Sequence, residues 1–343
     1  MTVEILRLDD AACADWDAYV QQAEGASFFH RAGWREVLER AFGHRAYFLY
    51  AREDGVVTGV LPLAQVRSML FGNSLASLPF CVYGGIVADS EAVAGALREE
   101  ACRLAEELGV GALELRNWRE SGAGWPIKEL YYTFRKAIDP DDEVNLKAIP
   151  NRQRAMVRKG IKEGLESEWD AGVERLYRVY SESVRNLGTP VFSRRYLEVL
   201  MDVFGDDCSV LMITHQGKDV AAVMNFYFRD EVLPYYGGST SASRDIKGVN
   251  HFMYWELMRL SNEQGYRLFD FGRSKKGTGP FSFKKNFGFE PEPLPYEYYL
   301  VQSDAVPELN PLNPKYKLMV ETWSKLPLPV ANFIGPFIAR SLG

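Results

Sequence analysis

Four groups of residues in this sequence could do chemistry together. In NRQRAMVRKGIKEG, residues 151–164, Arg154, Arg158 and Lys162 recur four apart, so on a helix they share one face, flanked by Arg152 and Lys159. Like charges on one face repel until an anion arrives, which makes the face a candidate phosphate site; a solvated inter-domain helix is the plain alternative. In FDFGRSKKGTGPFSFKKNFG, residues 269–288, Arg273, Lys275, Lys276, Lys284 and Lys285 stand among Gly272, Gly277, Gly279 and Gly288. Glycine lets backbone N–H groups close on an anion while lysine supplies charge, so phosphate or carboxylate is expected there, although the spacing is not that of a Walker loop. In YYGGSTSASRDIKGVNHFMYWELM, residues 235–258, Tyr236 and the backbone of Gly237 and Gly238 would line a strand end, ahead of a helix capped by Asn250. Tyr254 and Trp255 in that helix are expected in the core. Asp270, between Phe269 and Phe271, faces away from both rings by strand alternation. There it could orient a loop lysine, accept a proton, or form a structural salt bridge with Arg273 or a lysine.

Other chemistries are excluded by what is missing. Histidines 30, 44, 215 and 251 have neither metal-ligand nor triad spacing, and no serine or cysteine elbow is present, so no metal and no covalent enzyme intermediate are expected. Direct attack of a bound amine on an activated acyl group fits better. Cys13, Cys81, Cys102 and Cys208 are scattered without CxxC spacing, which suits a reducing cytoplasm rather than a disulfide framework. A net charge of -6 argues against general nucleic-acid coating and against DNA as a partner. No apolar run approaches the roughly 20 residues of a spanning helix, and MTVEILRLDD lacks a signal pattern.

These groups must be held by a chain of 343 residues, for which two domains is the prior at roughly 100–200 residues each. An internal repeat supports that division. SFFHRAGWREVLERAFG, AYFLY, EDG and VVTGVLPLAQV are answered by TPVFSRRYLEVLMDVFG, SVLMI, QGK and DVAAVMNFYF, with Gly43 on Gly205 and Gly55 on Gly217. Tyr83-Gly84-Gly85 answers Tyr236-Gly237-Gly238; a helical pattern then ends at Gly109 or Gly265, followed by ALELR or LFDFG. The expectation is an α/β fold of mixed sheets in two similar halves, residues 1–148 and 149–302, the second carrying the site. A helical, apolar tail follows over 303–343, with a helix around Lys315–Lys325.

The basic helix RQRAMVRKGIKEGLE, the strand end YYGGS and the run GYRLFDFGRSKKGTGPFSFKKNFGFEPEPLPYEYYL, in this order, resemble the FemAB-like acyltransferases. The resemblance covers about residues 20–300 and is strongest to the subgroup associated with exosortase, PEP-CTERM and exopolysaccharide systems. It implies two tandem GNAT-type domains and transfer of an acyl or aminoacyl group to an amine in bacterial envelope synthesis, peptidoglycan included. The donor cosubstrate would be aminoacyl-tRNA or acyl-CoA, with no resident cofactor, and the acceptor a phosphate-bearing small molecule or a lipid-linked envelope precursor. Phe283-Lys284 matches a functional Phe–Lys pair, whose lysine would stabilise the charge of a tetrahedral intermediate or a donor phosphate. YGGIVAD, residues 83–89, loosely matches the acceptor-cleft segment and brings in Tyr83 and Asp89.

The chain also departs from the family pattern. Glu36 stands two residues after Trp34, where bridge-forming relatives can carry a lysine for a nucleotide-linked acceptor. RDIKGVN, residues 244–250, does not fit the (Q/R)xxGx(G/A) loop of acetyl-CoA enzymes, and Ser167–Gly188 holds one helical pattern where many tRNA-using members insert a helix pair.

The expected catalytic residues are therefore Lys284, Asp270 and Tyr236. The expected substrate-binding residues are Arg154, Arg158, Arg273, Lys275, Phe283, Gly237, Gly238, Tyr83 and Asp89. The tail WSKLPLPVANFIGPFIARSLG is apolar but too short and proline-rich to span a bilayer. It is expected either to lie in a membrane interface over 326–343, at the inner face of a cytoplasmic membrane, to bind a partner, or to pack back on the first domain. The alternative function is a non-catalytic envelope-assembly scaffold that docks a membrane partner through this tail.

Overall fold

The computed structural model describes residues 3–68, 72–307 and 314–342. Two compact units form: residues 1–131, 293–309 and 340–343 make the first, and 132–292 with 310–339 the second. In the first unit, Glu4–Arg7, Leu49–Glu53, Val56–Leu61 and Val87–Ala88 make a four-stranded antiparallel sheet in that order. A second sheet joins Arg45–Ala46, Leu63–Ser68, Gly72–Ser77 and Ala112–Arg116, the last two parallel. It is extended by Tyr296–Leu300, antiparallel to Arg116–Ala112. Helix Glu91–Glu107 is capped by Ser90 Oγ, which accepts from the Val93 N–H at 3.2 Å. It buries Val93, Leu97, Ala101 and Leu104, a helical spacing that sets one apolar face in the core with Leu49, Leu61 and Leu113.

In the second unit the strand order is Leu165–Asp170, Cys208–His215, Lys218–Phe228, Glu231–Ser239, Leu268–Asp270, then Arg135–Ala137 at the end of strand Ile127–Ala137. All pairs are antiparallel except Glu231–Ser239 with Leu268–Asp270. Leu211, Ile213, Val223 and Val232 pack with Val157 of helix Asn151–Lys162 and with Phe252, Met253 and Leu257 of helix Val249–Glu263. The other face carries Tyr236, whose ring meets Tyr180 of helix Glu174–Asn186 and Tyr196 of helix Arg194–Phe204. Residues 167–188 hold that one helix, preceded by strand Leu165–Asp170 at the sheet edge.

The duplication is visible in the backbone. Asp54-Gly55 and Gln216-Gly217 all take positive φ (48° and 86°; 51° and 74°), the pattern of a type I′ hairpin in each half. Helix Arg194–Phe204 has as its counterpart Gly33–Val37, continued by a wide π-type turn at Leu38–Phe42. The YGG segments differ. Gly237 and Gly238 lie in a regular strand, whereas Tyr83-Gly84-Gly85 follows an irregular stretch in which Leu78 and Phe80 take φ of 50° and 72°.

The tail forms helices Pro314–Trp323 and Leu328–Ala339. The second packs on Glu174–Asn186 of the second unit: Asn332 Nδ2 donates to Ser181 Oγ at 3.3 Å, and Gly335 faces Val191. Of the alternatives for the tail, helix Leu328–Ala339 thus packs on the second unit, while the Arg340 carbonyl, which belongs to the first unit, lies 2.7 Å from His44 Nε2. No helix among the described residues is long and apolar enough to cross a membrane.

Candidate active site

The site begins with a parting of strands. Glu231–Ser239 and Leu268–Asp270 share only the pairs Glu231 with Leu268 and Val232 with Phe269. Beyond them the longer strand stays with Lys218–Phe228, while Asp270 pairs with Arg135 on the other side. A bulge between Met224 and Asn225 leaves Tyr235 without an opposite residue, and Pro234 beside it has no N–H to give. The fork thus presents backbone groups not used by a ladder, a setting that suits an extended, amide-bearing ligand.

At the closed side of the fork stands a buried charge cluster. Asp270 is fully buried, accepts from the Gly272 N–H at 2.7 Å and pairs with Arg135 Nε at 3.2 Å. Arg135 also binds Glu231, whose carboxyl is pushed up by burial while Arg135 pulls it down. Arg135 is the residue that sequence reasoning missed. The expected partners of Asp270 were Arg273 or a lysine; strand register also sets Arg135 opposite Asp270, and the Asp270 charge acts on Lys284 as well.

Lys284 rises from helix Gly279–Asn286, which Thr278 caps. Its ammonium donates to the carbonyls of Phe271 at 2.6 Å, Gly272 at 3.1 Å and Arg273 at 3.1 Å, over the rings of Phe134 and Phe271. Burial lowers its pKa to about 7, against the pull of Asp270, and Arg273 lowers it further. Here Lys284 acts as a clamp: three successive carbonyls of the strand-end turn converge on one cation, fixing the segment that carries Arg273. Arg273 is half-buried, and Lys275 lies on the short strand Ser274–Lys275, which pairs with Ile127–Ala137. Phe283 packs on His251, Tyr254 and Phe287.

Tyr236 and the glycines lie across the sheet from Lys284's neighbours. The Tyr236 hydroxyl is 2.7 Å from that of Tyr196, inside a cage with Tyr180 and Phe192. A Cβ on Gly238 would stand 2.4 Å from Ser183, so this glycine admits helix Glu174–Asn186 close to the strand.

The basic helix is docked on the start of helix Val249–Glu263. That helix is capped by Gly248, at φ 82°, and not by Asn250, which lies in its first turn. A Cβ on Gly248 would be 2.2 Å from the Met156 carbonyl, and one on Gly160 would be 2.8 Å from Phe252. Gln153 Oε1 lies 2.8 Å from His251 Nε2 and adds a polar tie, and burial lowers the His251 pKa. Arg154 turns back to the Lys147 carbonyl at 2.8 Å, whereas Arg158, Lys159 and Lys162 are exposed. Among the described residues no carboxylate pairs with these three, and the first-turn N–H groups of the neighbouring helix have no side-chain cap.

Tyr83 and Asp89 belong to the first unit. Tyr83 is fully buried and stacks on Trp118 at 3.9 Å, so its ring serves the core, while Asp89 accepts from the Tyr19 hydroxyl at 2.9 Å.

The structure thus gathers Asp270, Arg273, Phe283 and Lys284 at one strand end. It sets Arg154 and Arg158 on a docked helix, and Tyr236, Gly237 and Gly238 on the adjoining strand.

Comparison with known proteins adds to this geometry. Residues 151–285 match the family described as an acetyltransferase (GNAT) domain. No curated protein matches in sequence. Among solved structures, FemX is similar at a TM-score of 0.71 and 16% identity, over 92% of this chain and 100% of that one. The C-terminal domain of a putative lysylphosphatidylglycerol synthetase from Agrobacterium fabrum is similar at 0.57 and 16%, over 91% and 96%. A tandem GNAT protein from the clavulanic acid biosynthesis pathway is similar at 0.56 and 13%, over 89% and 100%. At these identities the likeness speaks for the fold, that of tandem GNAT proteins. With residues 151–285 carrying the acetyltransferase (GNAT) domain, the protein is an acyltransferase.

Proposed function

We propose that the protein forms an amide by transferring an acyl or aminoacyl group directly to an amine on a cell-envelope precursor. The setting is cytoplasmic, in peptidoglycan or exopolysaccharide metabolism of the exosortase/PEP-CTERM kind. The observation that carries this reading is the strand fork with Lys284 clamped at its side and the exposed cations of Arg158 and Lys162 on the docked basic helix. A donor arm lies along the free edge of Leu233–Ser239, and its carbonyl is attacked by the neutral amine. The C–N bond forms as the bond to the donor oxygen or sulfur breaks, and the amine proton leaves with the donor.

Arg273 and the Lys284 charge favour the oxyanion, Asp270 holds Arg135 and the turn in place, and Arg154, Arg158 and Lys275 receive phosphate. The donor is aminoacyl-tRNA or acyl-CoA. The name of one protein of similar fold, a putative lysylphosphatidylglycerol synthetase, joins a lysyl group to a phospholipid and so supports an aminoacyl donor and a phosphate-bearing or lipid-linked acceptor.

The test is a thermal-shift titration with acetyl-CoA, a nonhydrolysable aminoacyl-tRNA mimic, and UDP-linked and lipid-linked amino sugars, followed by mass spectrometry for the amide. Saturable stabilisation by one donor, about tenfold weaker in Arg158→Ala, is expected, together with an amide product. No shift with any donor and no amide product would sink this reading.

A further inference from the structure

The last helix, Leu328–Ala339, is amphipathic in an unusual sense. Ala331, Gly335 and Ala339, four apart, form its buried side, with Ala331 and Ala339 only 1% and 3% exposed. The bulky residues point outward: Phe333 is 74% exposed, Phe337 63%, Val330 41% and Ile334 39%. A Cβ on Gly335 would already lie 3.0 Å from the Val191 backbone, so the seat on the second unit accepts only the small face. Two further apolar side chains, Leu318 and Met319 on helix Pro314–Trp323, are also exposed.

Two features of this face select its occupant. Lys325 and Arg340 flank the helix and are exposed, and no aspartate or glutamate stands between them, in a protein whose net charge is -6. The face is therefore locally cationic. Between Lys325 and Arg340 the one side chain able to hydrogen-bond is Asn332, and its amide turns inward to Ser181. Protein interfaces use about one hydrogen bond per 100–200 Å² and favour Trp, Tyr and Arg, whereas a bilayer requires no hydrogen bond of the face that enters it. Twelve residues span about 18 Å, well short of a bilayer's hydrocarbon, so the helix can lie only in the plane of the interface.

We propose that the Val330–Phe333–Ile334–Phe337 face inserts into the headgroup boundary of an anionic membrane, with Lys325 and Arg340 on the headgroups. This anchoring does not depend on the acyl-transfer reading.

The experiment is co-sedimentation of the full chain with phosphatidylcholine vesicles and with vesicles of phosphatidylcholine and phosphatidylglycerol in equal amounts. Wild type should sediment with the mixed vesicles and only weakly with phosphatidylcholine alone. Phe333→Ser with Phe337→Ser, an exposed pair whose loss should leave the thermal midpoint unchanged, should bind at least about tenfold more weakly. Lys325→Gln with Arg340→Gln should lose the preference for phosphatidylglycerol. Failure of wild type to bind either vesicle, or equal binding by the serine variant, overturns the proposal. So does a wild-type dimer, without vesicle affinity, that the serine variant converts to monomer; the face would then meet a second copy.

Discussion

Lys284 shows how position decides chemistry at the residue scale. A lysine beside a phenylalanine could serve as a free cation in a cleft, but here three backbone carbonyls share its ammonium. Lys284→Ala therefore should not leave the fold untouched. Removing the cation orphans those carbonyls at a cost of about 1–3 kcal/mol, readable in urea denaturation, and transfer should be lost with it. The pH dependence has a definite sign. The native pKa lies at about 7, below the unfolded value, so between the two the unfolded chain holds a proton that the native chain has shed. Wild type should gain stability over Lys284→Met as pH rises from about 7 toward 10, and a flat difference would show that burial does not set this group. Asp270→Asn should cost about 3 kcal/mol, because it strips a fully buried carboxylate from Arg135. An unchanged denaturation midpoint would make that pair dispensable.

At the scale of elements, the basic helix is placed by contacts too close for any side chain but hydrogen. Gly248 combines φ 82° with a neighbour 2.2 Å from where a Cβ would be. Gly248→Ala should therefore destabilise the second unit by at least about 2 kcal/mol and weaken anion binding along with stability. An alanine variant with wild-type midpoint would mean that the two helices can separate without penalty. The tail offers a contrasting case, since Gly335→Val should unseat only the last helix. Limited proteolysis should then cut within 324–343 faster than in wild type, while the rest of the chain melts as before. Uniform protection would contradict the close approach to Val191.

For the whole molecule, the compact units do not follow the order of the chain. The first unit is completed by residues from beyond 292: Tyr296 is fully buried, its hydroxyl donates to the Val82 carbonyl, and Glu297 accepts from Asn117 and Ser121. A fragment ending at residue 148 lacks this strand, so it should aggregate or lose its cooperative melt. Adding Pro291–Pro307 as a peptide should restore protection of Ala112–Arg116 amides in hydrogen exchange. Equal protection with and without the peptide would show that the unit closes by itself.

What the sequence determined by itself was local and periodic. Four-residue spacing put Arg158 and Lys162 on one helix face, alternation turned Asp270 away from two phenylalanines, and paired Gly55 and Gly217 marked two equivalent hairpins. Each follows from backbone geometry over a few residues, which neighbouring residue types dictate directly. Duplication was legible for the same reason, as was the apolar tail. Tertiary structure alone decided the partners. Arg135 reaches Asp270 through strand register across more than a hundred residues, and the carbonyls that occupy Lys284 converge only when the turn after Asp270 meets helix Gly279–Asn286. Tyr296–Leu300 joins Ala112–Arg116 by pairing between segments that share no local pattern. Long-range contacts of this kind are fixed by packing and by satisfaction of buried polar groups over the whole chain, and no local sequence pattern encodes them.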